Sequence, residues 1–249
     1  MKKRRGNTRY FAWFISIIIA SYIIFRLIML LFYSLNIFMI KELDFSGNKA
    51  LLADNLRMAG ASLIGQNMFR VTSSEVKELY SAFSRIKDLS VKRRLPGKLK
   101  IKIVERQPVF QILTQDGEIL VVDIEQILLS FTEAAISDDI TIISVQASSD
   151  TLQEGKKIND PFLEQMISLF PAIQEAEPDF FDYISEIYLD GQDLYMVENK
   201  QGYKIILPQE NLLQSIIDYM DIKNTYSFDN KTIIDMTIEN NYRVIKREE

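Results

Sequence analysis

The residues best placed for covalent chemistry are a serine and a lysine three positions apart. Ser74-Glu75-Val76-Lys77 fits the S-x-x-K motif, in which serine forms an acyl-enzyme. That chemistry also needs a second polar element and a K-T-G strand further along the chain. Lys231-Thr232 is followed by Ile233 in place of glycine, and the S-x-N at Ser46-Gly47-Asn48 precedes the serine instead of following it. We therefore interpret Ser74 as a helix N-cap, a role for which Thr72 and Ser73 are also candidates.

The composition argues further against catalysis. The 249 residues include no cysteine and no histidine. Disulfides, thiol catalysis and thiolate metal sites are therefore excluded, and the usual general base at neutral pH is missing. The acidic pair Asp138-Asp139 lacks the spacing and the glycine of a calcium loop. We expect no catalytic residue, no cofactor and no metal site.

Charge is distributed unevenly along the chain. Six basic residues and no acidic one precede residue 41, so the remainder carries 23 basic against 34 acidic residues, a net charge of −11. An acidic domain repels phosphate backbones, so nucleic acid is not an expected partner. Nothing in the sequence indicates a small-molecule substrate.

A membrane anchor is predicted near the N-terminus. Residues 11–33 form an apolar run, which as a helix would be about 34 Å long and would cross a bilayer core of about 30 Å. An arginine such as Arg26 at mid-membrane raises the free energy of membrane insertion by about 2.5–3.5 kcal/mol. The Leu, Ile and Phe residues of the run lower it by about 4–8 kcal/mol, so insertion remains favourable. The Arg26 side chain either extends to the interface or contacts a partner helix or a lipid phosphate.

The flanks of this run predict its orientation. Residues 1–10 form a basic tail, which the positive-inside rule places in the cytoplasm. No A-x-A-like site follows the run, so we expect an uncleaved helix with everything after about residue 40 outside the cytoplasm. We thus predict an inner-membrane, single-pass protein.

Two regions with different predicted secondary structure follow the anchor, and together they predict an α+β fold. Residues 38–106 read as strand-helix-helix-strand-strand. Residues 107–249 read mostly as antiparallel strands, with helices from about Asn159 to Phe170 and over Gln209–Tyr219. The strands predicted in the second region are Val109–Leu113, Ile119–Val122, Ile127–Ser130, Thr141–Val145, Ser185–Leu189, Asp193–Glu198, Tyr203–Leu207, Thr232–Ile238 and Tyr242–Lys246.

One stretch carries a family resemblance. Residues 91–110 resemble the V-x-R-x-L-P-x-x-L-x-I-x-V-x-E-R-x-P signature of the bacterial cell-division proteins FtsQ and DivIB. The matching positions include Arg93, Leu95, Pro96, Glu105, Arg106 and Pro108. Upstream, Gly65, Asn67, Phe69 and Val71 are similar to the family's G-x-N-x-F-x-V pattern. Two positions depart from it, because Gln126 stands where glycine is usual and Thr237 replaces an arginine.

The resemblance implies a domain plan and a role. It makes residues 38–106 a POTRA domain and residues 107–249 the family's β-domain. It implies a non-enzymatic divisome scaffold at the septum, linked to septal peptidoglycan synthesis, whose partners are FtsB- and FtsL- or DivIC-type coiled-coil proteins. Such partners bind by β-augmentation on the last strand. The positions this implies here are Ile238, Glu239, Asn240, Tyr242 and Val244.

A basic cluster adds a second candidate surface. Nine basic residues lie between positions 85 and 106: Arg85, Lys87, Lys92, Arg93, Arg94, Lys98, Lys100, Lys102 and Arg106. The cluster is either a solvated strand face or a surface for anionic lipid or an acidic partner. The candidate contacts are Lys92, Arg94, Lys98, Lys100 and Lys102. Two other functions stay open, a membrane-anchored enzyme of the cell envelope and a POTRA-bearing transport or assembly component.

Overall fold

A computed structural model describes residues 7–130, 140–238 and 242–246. The chain divides into two compact units. The first comprises residues 1–81 and 88–104, and the second comprises residues 82–87 and 105–249. Each unit has its own sheet.

The first unit begins with a long apolar helix, α1 (Asn7–Ser34). Within its segment Tyr10–Ser34, an 18-residue window has a mean hydropathy of 2.5 and contains no buried residue, so the length and composition of the helix suit a membrane crossing. The helix contains the whole of the predicted run 11–33.

A small α+β module follows, in the predicted order of elements. Its elements are a 3-10 turn (Asn36–Phe38), β1 (Glu42–Ser46), α2 (Ala53–Ala59), a 3-10 turn (Gly60–Leu63), α3 (Ser73–Leu79), β2 (Ile86–Arg94) and β3 (Lys98–Glu105). The strand order is β1-β3-β2, with β1 parallel to β3. The N-cap of α3 is Thr72, the first of the three candidates, and it forms a capping box with Glu75, whereas Ser74 lies inside the first turn.

The core of this module lies between its sheet and its helices. Leu99 and Ile101 on β3 and Leu56 and Val76 on the helices are all fully buried. Alternation along β3 places its lysines on the opposite, outer face. The predicted apolar alternation at this strand is therefore confirmed, and the side of the sheet that stays exposed is basic.

The described residues of the second unit form nine strands in one mixed sheet. They are β4 (Pro108–Leu113), β5 (Ile119–Asp123), β6 (Leu128–Leu129), β7 (Ile142–Ser144), β8 (Ile184–Asp190), β9 (Asp193–Glu198), β10 (Lys204–Leu207), β11 (Thr232–Asp235) and β12 (Arg243–Lys246). The spatial order is β12-β11-β10-β9-β8-β7-β4-β5-β6. Neighbours are antiparallel except at β10–β11, β7–β8 and β4–β7, which are parallel.

The helices of this unit are α4 (Pro161–Ala176), α5 (Phe180–Tyr183) and α6 (Leu212–Thr225). The prediction that the first of them ends near Phe170 is wrong, because α4 continues through Pro171. A proline inside a helix lowers the stability of that helix by about 3 kcal/mol. The last turns of α4, however, carry the fully buried Ile173. The Phe170 ring also packs edge-on against the Phe110 ring, with their centroids 5.4 Å apart. Tertiary packing therefore outweighs the local signal. The short helix α5 was not predicted.

Candidate partner-binding edge

The last strand, β12, lies at one end of the nine-stranded sheet. It pairs antiparallel with β11, with Ile234 opposite Val244 and Ile233 opposite Ile245. Within the described residues no strand pairs with its other side. The side chains of Val244 and Ile245 are 43% and 37% exposed. These two side chains point to opposite faces of the sheet, since successive residues of a strand alternate. The outer side of β12 therefore presents backbone donors and acceptors with an apolar side chain on each face of the sheet.

The opposite end of the sheet is closed. The Leu128 N–H of β6 donates to the Lys156 carbonyl at 3.0 Å, and the Gly155 N–H donates to the Leu128 carbonyl at 2.8 Å. A bridge between Ile127 and Lys157 continues this pairing. Of the two ends of the sheet, only β12 is open in the part of the chain that the structure describes.

The five predicted partner-binding positions have different surroundings. Val244 lies in β12, and Tyr242 directly precedes that strand, where it packs against the core of the second unit. Ile238 is half-buried in the bend that follows β11, outside either strand. Glu239 and Asn240 lie outside the described residues. The structure therefore places Tyr242 and Val244 at the open edge.

The end of β11 is closed by a local bond. The Asp235 carboxylate accepts from the Thr237 N–H at 3.0 Å and from the Thr237 hydroxyl at 2.7 Å. This turn directs the chain out of β11 before it returns as β12. The strand β11 therefore ends at Asp235 and is shorter than the predicted strand Thr232–Ile238. The reason is that the Asp235 side chain bonds the backbone N–H group two residues further along the chain.

Residues of the predicted family motif position the hairpin of the first unit. The Arg93 guanidinium donates to the carbonyls of Met68 and Val71 at 2.7 and 2.8 Å. The Gly97 carbonyl accepts from the Lys41 N–H at 2.7 Å. Leu95 and Pro96 form the exposed turn between these contacts. The motif thus ties β2 and β3 to two loops of the same unit.

A second group of motif residues joins the first unit to the end of α1. The Asn67 side-chain amide donates to the carbonyls of Phe32 and Tyr33 at 3.0 and 3.2 Å. Phe32, Phe38 and Phe69 pack together with ring centroids 5.0–5.5 Å apart. The last turn of α1 is therefore capped and packed by the module that follows it.

The basic cluster between positions 85 and 106 does not form one solvated face. Arg85 is 1% exposed, and its Nε donates to the Ser130 carbonyl at 2.8 Å. Burial lowers the pKa of Arg85, and the nearby Glu105 carboxylate opposes that shift. Arg85 is therefore part of neither a solvated strand face nor an exposed surface for lipid or an acidic partner.

Within the cluster, the five candidate contact residues also differ. The Lys98 Nζ lies 2.8 Å from Glu42 and 3.9 Å from Asp44 on the neighbouring strand β1. The hydrogen bond to Glu42 raises the pKa of Lys98. Lys92, Arg94 and Lys102 are exposed, whereas Lys100 is half-buried. Lys98 is consequently engaged in cross-strand pairing before any partner is present.

Arg106 makes the shortest ion pairs of the cluster. Its Nη1 lies 2.5 Å from Asp123 and 2.6 Å from Glu125. Partial burial lowers the pKa of Arg106, but the hydrogen bonds to the two carboxylates outweigh this and raise it overall. The adjacent Glu105 is buried at 8% exposure, and Pro108 begins β4. This end of the motif organises the start of the second unit.

Comparison with known proteins agrees with this geometry. Residues 38–106 match the family described as POTRA domain, FtsQ-type. Cell division protein DivIB of Bacillus anthracis is 24% identical over 251 residues, covering 95% of this chain and 84% of that protein. Residues 38–106 are thus a POTRA domain of the FtsQ type, and the two matches together support the FtsQ/DivIB resemblance. The predicted fold, with an N-terminal apolar helix, a POTRA domain and a mostly β domain, is confirmed.

The first departure from the FtsQ/DivIB pattern has a backbone consequence. Gln126, at the position where the family usually has glycine, has a φ of 63° in the left-handed region. Glycine adopts that conformation without steric cost, whereas other residues pay about 1–2 kcal/mol. The turn is held by the Asp123 carboxylate, which accepts from the N–H groups of Glu125 and Ile127 at 2.9 Å.

The second departure is explained by side-chain chemistry. Thr237 replaces the family's usual arginine, and the Asp235 carboxylate bonds its hydroxyl and N–H. The turn after β11 is therefore stabilised by a neutral donor in this chain.

Proposed function

We propose that this chain is a non-enzymatic scaffold of the bacterial division machinery, which recruits FtsB- and FtsL- or DivIC-type coiled-coil partners by strand addition to β12. Its similarity to FtsQ/DivIB proteins supports the divisome role. The observation that carries the binding mechanism is the open edge of β12, whose Val244 and Ile245 side chains are exposed on opposite faces. The scaffold links the membrane to septal peptidoglycan synthesis.

Backbone pairing supplies the affinity in this mechanism, and side chains supply the specificity. In a strand, successive N–H groups point alternately to the two neighbours. One of Val244 and Ile245 therefore bonds β11, and the other directs its N–H away from the sheet. A partner segment in extended conformation would bond that outward row and bury the exposed apolar side chains.

The S-x-x-K residues support the non-enzymatic proposal. Ser74 lies in the first turn of α3, behind the capping residue Thr72. The Lys77 Nζ lies 2.9 Å from the Asp88 carboxylate, and both side chains are largely exposed. The Lys77 amine is therefore engaged by Asp88. Among the described residues, no group of three or more acidic side chains could hold a metal ion.

The topology we propose places the N-terminal tail in the cytoplasm and both folded units outside it, at the septum. The support is the basic tail before residue 10 and the single apolar helix α1. The exposed cations of the outer POTRA sheet face, Lys92 and Lys102, are a second proposed contact, for acidic segments of other division proteins. Reversing their charge should weaken such contacts without affecting the edge at β12.

The test is co-purification of the full chain, in detergent, with co-expressed FtsB- and FtsL- or DivIC-type proteins. Deletion from Ile238 onward should abolish co-purification, and so should proline at whichever of Val244 and Ile245 points outward. Val244→Thr and Ile245→Thr keep both N–H groups and should retain binding, which separates backbone pairing from side-chain contact. Co-purification that survives the deletion and the proline at the outward-pointing position would contradict strand addition at β12.

A further inference from the structure

We propose that one end of the POTRA unit is a lipid-binding surface, which lies in the headgroup layer of an anionic membrane. This surface, the headgroup end, consists of residues 35–41, 64–70 and 94–98. The proposal depends on α1 crossing the bilayer and is independent of the division role and of the edge at β12.

The three segments of the headgroup end are joined to one another beside the last turn of α1. Asn67 donates to a carbonyl of that turn at 3.0 Å. The Ile40 N–H donates to the Gln66 carbonyl at 2.8 Å, and the Lys41 N–H donates to the Gly97 carbonyl at 2.7 Å. These hydrogen bonds hold the three segments together as one surface.

The position of this surface follows from the length of α1. The apolar segment Tyr10–Ser34 has 25 residues. As a helix it is about 37 Å long, which exceeds a hydrocarbon core of about 30 Å. The last turn of α1 therefore reaches the interface, and segments bonded directly to it lie at the depth of the headgroups.

The headgroup end exposes aliphatic side chains from all three segments. Leu35 is 40% exposed, Ile37 is 55%, Ile64 is 46% and Leu95 is 61%. Single exposed aliphatic residues are common on protein surfaces. Four of them on segments that meet at the end of a membrane helix are better explained by insertion between lipid headgroups, where their apolar area leaves water.

The charge of the headgroup end complements anionic lipid. Its three segments contain Lys41, Arg70, Arg94 and Lys98 and no acidic residue, although the part of the chain after residue 40 has a net charge of −11. Lys41, Arg70 and Arg94 are exposed, whereas Lys98 is paired with Glu42. Each cation near an anionic membrane surface strengthens binding about fivefold.

A groove provides a place for the headgroup itself. It has a volume of about 480 Å³ and lies between the end of α1, at Tyr33 and Ser34, and the loop that carries Asn67 and Arg70. A lipid phosphate in this groove would meet the Arg70 guanidinium, and the acyl chains would run along α1.

Cations further along the same sheet lie away from this surface. In the β1–β3 register, Lys98 is opposite Glu42, and Lys102 is opposite Ser46 at the other end of β1. The four residue steps from Lys98 to Lys102 along β3 separate the two lysines by about 13 Å. Lys102 is therefore a matched reference position on the same sheet.

The absence of cysteine makes a direct test possible with the full chain in nanodiscs. Ile64→Cys, Leu95→Cys and Lys102→Cys variants each receive one environment-sensitive fluorophore. Quenching by spin-labelled lipid is then compared with quenching by aqueous iodide. All three positions are on the surface, so labelling should not disturb the core, and circular dichroism checks the fold.

We expect the lipid-borne quencher to dominate at positions 64 and 95 and iodide to dominate at position 102. In nanodiscs containing phosphatidylglycerol, the combined Lys41→Glu, Arg70→Glu and Arg94→Glu change should reduce lipid quenching at position 64, whereas Lys102→Glu should leave it unchanged. Labels at 64 and 95 that behave like the label at 102 would overturn the proposal. Equal quenching in purely zwitterionic nanodiscs, with no effect of charge reversal, would overturn the preference for anionic lipid.

Discussion

Arg106 and Asp123 form an ion pair with 2.5 Å between the Arg106 Nη1 and the Asp123 Oδ2. Their side chains are only 16% and 3% exposed. Asp123 also holds the turn that follows β5, through the N–H groups of Glu125 and Ile127. One carboxylate thus links the family's E-R-x-P segment to the turn in which Gln126 replaces glycine.

Arg106→Ala should destabilise the second unit by about 2–3 kcal/mol, because a nearly buried carboxylate loses its cation. Denaturant unfolding of the full chain in detergent measures this, with hydrogen exchange at the turn after β5 showing where the loss occurs. Lys77→Ala removes the exposed pair with Asp88 and should cost no more than about 1 kcal/mol. Equal losses for the two variants would show that burial of the Arg106 pair has no energetic importance.

Gln126→Gly should stabilise the protein relative to Gln126→Ala by about 1 kcal/mol. Both changes remove the same buried side-chain amide, but only glycine relieves the positive φ of 63°. The difference between the unfolding midpoints of the two variants therefore measures the free-energy cost of a positive φ at position 126. If alanine proves at least as stable as glycine, strain at this turn is not the reason that glycine is usual there.

Stability should fall as the pH drops from about 4.5 to about 2, partly through Glu125. Hydrogen bonds from Lys87 and Arg106 lower the pKa of Glu125 from 4.5 to about 2. The unfolded chain therefore takes up this proton first, and the stabilisation present above pH 4.5 is lost as the pH falls through the folded value.

The Glu125→Gln variant should therefore lose less stability across that interval than the unmodified chain. Unfolding midpoints at several pH values measure the slope. Glu118→Gln is the control, since Glu118 is exposed and has no ion pair among the described residues. Identical slopes for Glu125→Gln and the unmodified chain would refute the contribution of this pairing.

Asn67→Asp should loosen the junction between α1 and the POTRA unit. The aspartate keeps the acceptor that bonds the Phe69 N–H. It loses the donors to Phe32 and Tyr33. It also places a negative charge at the negative end of the helix dipole. Hydrogen exchange of residues 32–40 should rise, with about 1–2 kcal/mol less protection.

The control for this change is Gln66→Glu, which adds the same charge one residue away. Among the described residues, the hydrogen bond of the Gln66 side chain is to the nearby Ser62 carbonyl, at 2.7 Å. Exchange should therefore change little in Gln66→Glu. A similar increase in both variants would attribute the effect to charge and not to the lost hydrogen bonds.

Much of the organisation could be read from local pattern. The apolar run 11–33, the basic tail and the alternation at Leu99, Ile101 and Ile103 depend on hydropathy at a fixed period. The strand-helix-helix-strand-strand order of the POTRA unit, which the structure confirms, depends on the same local pattern. These features are encoded by neighbours in the chain, so the sequence suffices to predict them.

Other features depended on contacts between distant residues. The extension of α4 through Pro171 required the packing of Phe170 and Ile173, which local propensity does not contain. The burial of Arg85 and the pairing of Lys98 with Glu42 likewise divided a basic stretch that looks uniform in sequence.

By itself the sequence determined the membrane segment, the order of elements and the family signature. Only the tertiary structure decided which end of the nine-stranded sheet is open, which cations are engaged and which loops meet the end of α1. Strand order and ion pairing join residues that are far apart in the chain. The energies that select them come from long-range burial and hydrogen bonding, which leave no periodic mark in the sequence.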